Sequence, residues 1–206
     1  MNYYIDFDNT LYETTKLTKA MMASIAKTIC ENSNFKFDEI IEDIESNFNS
    51  TYGNIFEYGR IMAEKYNVDS SNVIKNINEV IFNGNVYVFD DSKRFLKKLK
   101  EGNHTINILT YIAKGNQEYQ LKKLFGSGIS NDIDRIIVTS DLKYTLDIDY
   151  KNGIFIDDNP RDLKGLYEQN PQKVIRMRRK NNKYYPKEIE NINIEEYSSF
   201  DDIVID

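Results

Sequence analysis

Cysteine, long apolar runs and an excess of positive charge are all scarce or missing in this chain of 206 residues. Cys30 is its one cysteine, which rules out a disulfide within the chain and is typical of a reducing compartment. No apolar run approaches the ~20 residues that a membrane-spanning helix needs, and the acidic first segment does not resemble a signal peptide. The formal net charge of −6 argues against general binding to nucleic acid or to an acidic membrane. We therefore expect a cytoplasmic protein with neither of those partners.

The first part of the chain contains one short strand and then a block of helices. Residues 3–7 (YYIDF) are rich in aromatic and β-branched side chains, which favours a strand. From about residue 15 to 83, apolar residues recur at helical spacing in four successive groups, with no strand pattern between them. The groups are Leu17, Met21, Ile25 and Ile29; Ile40, Ile41, Ile44 and Phe48; Ile55, Met62 and Tyr66; and Val73, Ile74, Ile77, Val80 and Ile81. This pattern predicts a compact helical unit.

Beyond residue 85 the pattern alternates between strands and helices. Strands are predicted at 106–110, 134–140, 153–157 and 173–179. The C-terminal tail is predicted to form a last strand and a short helix. Apolar runs without alternation indicate strands that are buried on both faces of a parallel sheet. We predict an α/β protein, a doubly wound Rossmann-like parallel sheet with an all-helical subdomain inserted after the first strand. The predicted core covers residues 1–14 and 85–206, and the inserted cap covers residues 15–84.

Polar residues follow several of the predicted strands at their carboxyl ends, where open α/β sheets bind their ligands. They are Asp6 and Asp8 after the first strand, Thr110 after the second, Asp157, Asp158 and Asp162 around the end of the fourth, and Lys143 before it. Carboxylates that converge in this way repel each other unless a cation is present. Hard oxygen ligands with room for water suit Mg²⁺. The sequence therefore predicts a magnesium site at this edge of the sheet.

Each of these residues also has a purely structural interpretation. Aspartate often begins a turn, which would account for Asp6 and Asp8. Asn159 and Pro160 form a helix start, as N-cap and first helical residue, but they do not account for two carboxylates at the end of a strand. Thr110 and Lys143 are weak signals taken singly. The functional interpretation rests on the order and placement of the whole set.

Four segments of the chain are similar to the four motifs of the haloacid dehalogenase (HAD) superfamily. They are IDFDNTL, INILT, the lysine before the fourth strand, and FIDDNPRDL, and they span residues 3–162. The helical insertion resembles the C1-type cap of that superfamily. An aspartate at position 8 resembles the phosphatase and phosphomutase branches rather than the dehalogenases. The resemblance implies a Mg²⁺-dependent phosphatase that hydrolyses a small phosphomonoester (a nucleotide, sugar phosphate or small phospho-acid) through an aspartyl-phosphate.

The resemblance also implies a role for each motif residue. Asp6 would be the nucleophile, and Asp8 the general acid and then the base for the hydrolytic water. Thr110 would donate a hydrogen bond to the phosphoryl oxygens, and Lys143 would balance the charge of nucleophile and phosphate.

For the metal, the resemblance implies that Mg²⁺ is bound by Asp6, the backbone carbonyl of Asp8 and Asp158. Asp157 and Asp162 would hold metal-bound waters or the lysine. Which of the two adjacent aspartates binds the metal directly stays open.

Two departures from the usual motifs concern the lysine and the acidic pair. Tyr144 follows Lys143 where many relatives have proline, and Lys151 is an alternative third-motif residue. We favour Lys143 because its distance from Asp157 leaves room for a helix before the fourth strand, which the position of Lys151 does not. Asp157 stands where many relatives have glycine, although the double aspartate also occurs in the superfamily.

Substrate specificity is expected in the cap. The best candidate is the segment 49–54, with Tyr52, together with Arg60; Asn9 and Tyr111 complete the candidate substrate-binding set. The alternative is that Tyr52 packs in the cap and Arg60 is a solvated helix residue. The expected partner is a small phosphorylated metabolite, and the expected state a monomer or homodimer. Two other functions stay open: a phosphomutase, or a HAD-fold binding or regulatory protein with little turnover.

A run of basic residues lies at the end of the predicted strand 173–179. It comprises Arg176, Arg178, Arg179 and Lys180. We interpret it as a solvated strand end, with an anionic partner as the alternative.

Overall fold

Six parallel strands form one sheet in a computed structural model that describes residues 1–48, 54–180 and 182–205. The strands are β1 (Asn2–Ile5), β2 (Thr105–Tyr111), β3 (Arg135–Thr139), β4 (Gly153–Asp157), β5 (Lys173–Met177) and β6 (Glu195–Tyr197). Their order in the sheet is β3-β2-β1-β4-β5-β6, and every neighbouring pair is parallel. The predicted α/β fold with a doubly wound parallel sheet is confirmed.

Within the described residues, four helices follow β1 as one group, and three more flank the sheet, the first of them just before β2. The first group is α1 (Thr14–Glu31), α2 (Phe37–Asn47), α3 (Ile55–Lys65) and α4 (Ser70–Phe82). The second is α5 (Asp90–Glu101), α6 (Gln117–Gly126) and α7 (Pro160–Tyr167). Short 3-10 turns lie at Gly84–Tyr87, Ile129–Asp132, Lys143–Thr145 and Phe200–Asp202. Each helix within the described residues is too short or too polar to cross a membrane. The division into core and cap at residues 15–84 stays a prediction.

β1 is central because its side chains are apolar on both faces. Successive residues of a strand point to opposite sides of a sheet. Tyr3 and Ile5 accordingly pack into the main core with the helices of the first group, whereas Tyr4 packs on the other face with Leu109 and Phe155. The ring of Tyr4 stacks on that of Phe155 at 4.8 Å.

The chain between β3 and β4 differs from the prediction. The expected helix does not form, and the segment contains one 3-10 turn at Lys143–Thr145 followed by irregular chain. Leu146, Ile148 and Tyr150 pack against the second core cluster, and the Tyr150 hydroxyl donates to the carbonyls of Lys143 (3.0 Å) and Leu146 (2.8 Å). The hydroxyl of Tyr150 thus provides these two backbone carbonyls with a hydrogen-bond donor, so that the segment needs no helical hydrogen bonds there.

The basic run at the end of β5 is not the solvated strand end that we predicted. Arg176 is fully buried, pairs with Glu196 at 3.0 Å and donates to two carbonyls of the segment between β5 and β6. Arg179 is also buried and makes a bidentate contact with Asp91, at 2.7 and 3.0 Å. Of the run, only Lys180 is fully exposed.

α4 meets α6 at a point where there is no room for a side chain. A Cβ added to Gly126 would lie 2.0 Å from the carbonyl oxygen of Ile81. The segment that enters the helical block before α1 and the segment that leaves it after α4 also lie side by side, because Tyr12 forms an antiparallel bridge with Val88. The helices of the first group are therefore fixed to the sheet unit at two places.

Replacing Gly126 with alanine is expected to force α4 away from α6. Because backbone rather than a flexible side chain blocks the new methyl group, we expect a loss of about 1–3 kcal/mol in unfolding free energy. Urea denaturation measures it. The matched control is Gly102→Ala, whose new methyl group meets the movable His104 ring at 2.7 Å and the Lys98 carbonyl oxygen only at an ordinary contact distance of 3.4 Å. An equal loss of stability in both variants would contradict the argument.

Candidate functional site

Asp6 and the acidic pair Asp157-Asp158 meet where the sheet order reverses direction. β1 lies between β2 and β4. The chain fills the sheet on one side of β1 with β2 and β3 and then on the other side with β4, β5 and β6, which opens a crevice at the carboxyl ends of the strands. The N–H of Asp6 donates to the carbonyl of Ile156 (2.8 Å), so Asp6 continues the pairing of β1 with β4. Asp157 is the last residue of β4. The pleat of two paired strands thus brings the carboxylates to one edge.

Lys143 lies between two of these carboxylates. Its Nζ donates to Asp6 Oδ1 at 2.5 Å and to Asp157 Oδ2 at 2.6 Å, and all three side chains are buried. The other oxygen of Asp157 accepts from the N–H of Asn159 (2.9 Å). Lys143, rather than Lys151, is the lysine that the structure brings to the cluster.

Burial and mutual charge interactions shift the pKa values of the side chains in this cluster. Burial, with the charges of Asp157 and Asp8, raises the pKa of Asp6 to about 8 although Lys143 opposes the shift. Burial also raises the pKa of Asp158 well above its usual range, with Asp6 and Asp157 adding to the effect. Burial alone would lower the pKa of Lys143, but Asp157 and Asp6 raise it instead. One ammonium therefore does not balance three buried carboxylates.

The residues fit a hard divalent cation. Asp6, Asp157 and Asp158 each offer a ligand oxygen, and these oxygens lie within 4.8 Å of one another. A small set of carboxylate oxygens with unbalanced negative charge is the donor chemistry that Mg²⁺ prefers. The carboxylate of Asp8 is not part of this group, so only its backbone carbonyl is left for the predicted metal role.

Asp8 is held by a separate set of side chains. Lys123 Nζ donates to Asp8 Oδ1 at 2.5 Å, Gln120 Nε2 donates to Oδ2 at 2.6 Å, and the Thr14 hydroxyl donates to Oδ1. Burial tends to raise the pKa of Asp8, but the Lys123 ammonium and these hydrogen bonds lower it below the ordinary value. Asp8 is thus an ionised carboxylate with its own cation.

Sequence reasoning missed Lys123 and Gln120. Both lie on the inner face of α6, one turn apart, and are almost completely buried. A lysine and a glutamine at the positions where an amphipathic helix normally places apolar residues were the available signal.

It also missed Asn182. Its amide donates to Asp158 Oδ2, across 24 positions of the chain. Asn182 lies in the irregular segment after β5, where no periodicity identifies it.

Two further motif residues lie next to the cluster. Thr110 is fully buried, and its hydroxyl accepts from Gln120 Nε2 (2.8 Å), so one amide joins Thr110 to Asp8. Asp162 is buried behind the acidic pair, where it accepts from Asn159 Nδ2 (2.8 Å) and contacts Arg161 (3.3 Å). Burial and the charge of Asp157 raise the pKa of Asp162. The catalytic role of Thr110 and the second-layer role of Asp162 stay predictions.

The candidate substrate residues are spread more widely. Asn9 follows Asp8 directly, adopts a left-handed φ of 59° and accepts from Thr15. Tyr111 is 40 % exposed and lies under the guanidinium of Arg161. Arg60 is exposed and pairs with Glu57, and it lines a small cavity of about 220 Å³ between the helical block and α6. Tyr52, with most of the segment 49–54, lies outside the described residues.

Fold and site together define a class: a Rossmann-like α/β protein with an acidic site, able to hold a cation, where the sheet order reverses. The chain belongs to the haloacid dehalogenase-like hydrolase family, whose family model matches residues 4–168. This confirms the resemblance inferred from the motifs. A comparison with curated proteins finds no significant match.

Solved structures of the same family cover nearly the whole chain at low sequence identity. A protein of Burkholderia xenovorans named as a haloacid dehalogenase-like hydrolase is 16% identical, with a TM-score of 0.65 over 98% of this chain and 93% of its own. A HAD phosphatase of Thermococcus onnurineus is 14% identical, with a TM-score of 0.59 over 97% and 94%. A Bacillus subtilis protein, YfnB, named as a HAD-hydrolase and solved with bound magnesium, is 15% identical, with a TM-score of 0.55 over 97% of this chain and 95% of its own. These likenesses establish the fold.

Substituting Asp158 with asparagine is expected to change stability in opposite directions with and without metal. Without divalent cations, the raised pKa of Asp158 means that the folded state binds more protons than the unfolded state, so wild-type stability falls as pH rises above about 4. Asp158→Asn removes this loss, and we expect its melting temperature in EDTA to exceed that of the wild type by a margin that grows as the pH rises above about 4. With saturating Mg²⁺ the order should reverse, because only the wild type retains the full ligand set.

Differential scanning calorimetry measures both effects. The control is Asp141→Asn, an exposed residue on the same edge of the sheet, for which neither change is expected. If Mg²⁺ raised the melting temperature of Asp158→Asn as much as that of the wild type, a cation site that uses this carboxylate would be contradicted.

Proposed function

We propose that the protein is a Mg²⁺-dependent phosphatase that hydrolyses a small phosphomonoester through a phosphorylated Asp6. One observation carries the proposal: Asp6 and Asp8 are two residues apart but have different surroundings. Asp6 shares the buried cluster with Lys143, whereas Asp8 lies outside that cluster and is bound by Lys123. Two carboxylates in unlike environments can divide the roles of nucleophile and proton carrier.

The proposed reaction has two halves. In the first, an oxygen of Asp6 attacks phosphorus while the ester P–O bond breaks, and the carboxyl proton of Asp8 passes to the leaving oxygen. In the second, Asp8 takes a proton from a water that attacks phosphorus, and the bond from phosphorus to Asp6 breaks. Inorganic phosphate leaves, and the carboxylate of Asp6 is restored.

The surroundings of Asp6 support its role as nucleophile. The Lys143 ammonium, 2.5 Å from Asp6, offsets the negative charge that would build up when an anionic phosphate approaches. Mg²⁺ held by Asp6 and Asp158, with Asp157 nearby, would supply further charge neutralisation on the phosphoryl oxygens.

The two halves make unequal demands on Asp8. With its pKa lowered by Lys123, Asp8 is ionised before the reaction, which is the form that the second half needs. The first half requires the protonated form, which the contact with Lys123 disfavours. Protonation of the leaving oxygen is therefore the harder of the two proton transfers.

The substrate class and setting rest on the family and on composition. Membership in a hydrolase family, a phosphatase among the similar structures, and magnesium in another of them all support the proposal. We propose a small phosphorylated metabolite as substrate and the cytoplasm as location, with a monomer or homodimer as the working form.

Phosphate release tests this proposal most directly. With Mg²⁺ and p-nitrophenyl phosphate, we expect turnover that falls at least about 10⁴-fold in Asp6→Asn, since the nucleophile is lost, and about 10²–10⁴-fold in Asp8→Asn, since proton transfer is lost. Asp141→Asn should retain wild-type activity. Full activity in Asp6→Asn would show that the nucleophile is another residue.

The same assay separates the alternatives. A phosphomutase would convert a sugar phosphate to its isomer with little release of inorganic phosphate, which ³¹P NMR resolves. A regulatory protein would bind Mg²⁺ and phosphate esters without turnover. Retention of the carboxylate at position 8 favours hydrolysis over binding alone, because a binding protein has no use for a proton carrier.

Lys123→Met should alter the pH dependence of turnover. Removing the ammonium raises the pKa of Asp8, so the basic limb of the pH–rate profile, where Asp8 loses the proton that the leaving oxygen needs, should move up by about one pH unit or more. The profile of initial rates with saturating Mg²⁺ measures the shift. Lys122→Met, at the exposed neighbouring position of α6, is the matched control. Superimposable profiles for wild type and Lys123→Met would contradict this role.

A further inference from the structure

A cavity of about 710 Å³ lies beside the acidic cluster, between the start of α1 and the segment that follows β5. Asn9 and Asn182 both line it. Asn9 is the neighbour of Asp8 in sequence, and the amide of Asn182 donates to Asp158. One side of the cavity is therefore built from residues adjoining the reacting groups. Its volume is that of a small-molecule site.

The walls of this cavity carry surplus positive charge. Lys16, Lys19, Arg179 and Lys180 line it, with Glu13 as the one carboxylate. Two of the cations are already balanced: Lys16 lies 3.3 Å from Glu13, and the guanidinium of Arg179 is bound by Asp91. Lys19 and Lys180 are exposed, and neither pairs with a carboxylate in the part of the chain that the structure describes.

These two lysines are separate from the groups that would receive the reacting phosphate. The ammonium of the acidic cluster is that of Lys143, and Asp8 is paired with Lys123. A ligand that reaches Asp6 and also fills the cavity would thus present a different part of itself to Lys19 and Lys180. In a chain with a net charge of −6, an unbalanced pair of lysines in a concave wall favours an anion there.

The geometry points to a second anion-binding subsite at Lys19 and Lys180, so that the substrate is a phosphomonoester with a further anionic group at its other end. This inference rests on the proposed function for the reacting phosphate. The ligand carries either a second phosphate or a carboxylate, which two ammonium groups bind by the same charge attraction. A long polyanion such as nucleic acid does not fit, because the site is a bounded cavity and the chain as a whole is acidic.

Binding can be measured without turnover by using probes that cannot be hydrolysed. Alkane-α,ω-bisphosphonates and alkylphosphonates of matched chain length differ only in the second anion, and their C–P bonds resist a phosphatase. Isothermal titration calorimetry with Mg²⁺ should give at least about tenfold tighter binding of the best bisphosphonate to the wild type, as expected for two exposed charge pairs. The double variant K19M/K180M should lose that preference and retain the affinity for the alkylphosphonate. Lys27→Met, an exposed lysine further along α1, should retain the preference.

Turnover provides the second readout. With alkanediol bisphosphates and alkyl phosphates, the double variant should raise KM for the bisphosphate about tenfold and leave kcat and the alkyl phosphate unaffected. Equal affinity of the wild type for both phosphonates, or a preference that persists in the double variant, overturns the subsite. Absence of phosphate release from every ester overturns the proposed phosphatase instead, and the phosphonate titration then still decides whether the cavity binds a second anion.

Discussion

The ammonium of Lys143, buried between Asp6 and Asp157, is the interaction on which the rest of the site depends. Charges removed from water are tolerated only when they are paired and hydrogen-bonded. Here three carboxylates share one ammonium, and the surrounding donors make up part of the deficit: the N–H of Asn159 for Asp157 and the amide of Asn182 for Asp158. The remaining negative charge makes the site receptive to a cation and to the phosphate that a cation attracts.

Asp6 and Asp8 illustrate how one strand end can supply two kinds of chemistry. They are close in sequence, yet burial among carboxylates raises the pKa of Asp6, and the ammonium of Lys123 lowers that of Asp8. The difference comes from what packs on each side of the turn after β1. β4 brings further carboxylates to one side, and α6 brings a lysine and a glutamine to the other.

The sequence predicts those parts of the protein that depend on local patterns. The parallel sheet and the carboxylates at the ends of β1 and β4 follow from apolar runs and the residues that end them. Lys123 and Asn182 could not be assigned, because their partners lie far away in sequence and a helix or loop position does not reveal which group faces it. The prediction of a helix before β4 was wrong for a related reason. The number of residues between Lys143 and Asp157 shows that a helix would fit there, but packing against the sheet decides which conformation the segment adopts. The burial of Arg176 and Arg179 was likewise not predictable. Arg176 donates to backbone carbonyls of the irregular segment between β5 and β6, and the carboxylate that binds Arg179 lies 88 positions away.

The central position of β1 has a consequence for the unfolded chain. The hydrogen bond from Asn107 to the Tyr3 carbonyl spans 104 positions, and the contact of Lys143 with Asp6 spans 137. Such distant partners pair slowly, because closing long loops costs entropy. Meanwhile the first apolar segment is an unpaired strand of the kind that associates with other chains. Asp6 and Asp8 place negative charge on that segment, so the same carboxylates also act as gatekeepers against aggregation before the sheet has formed.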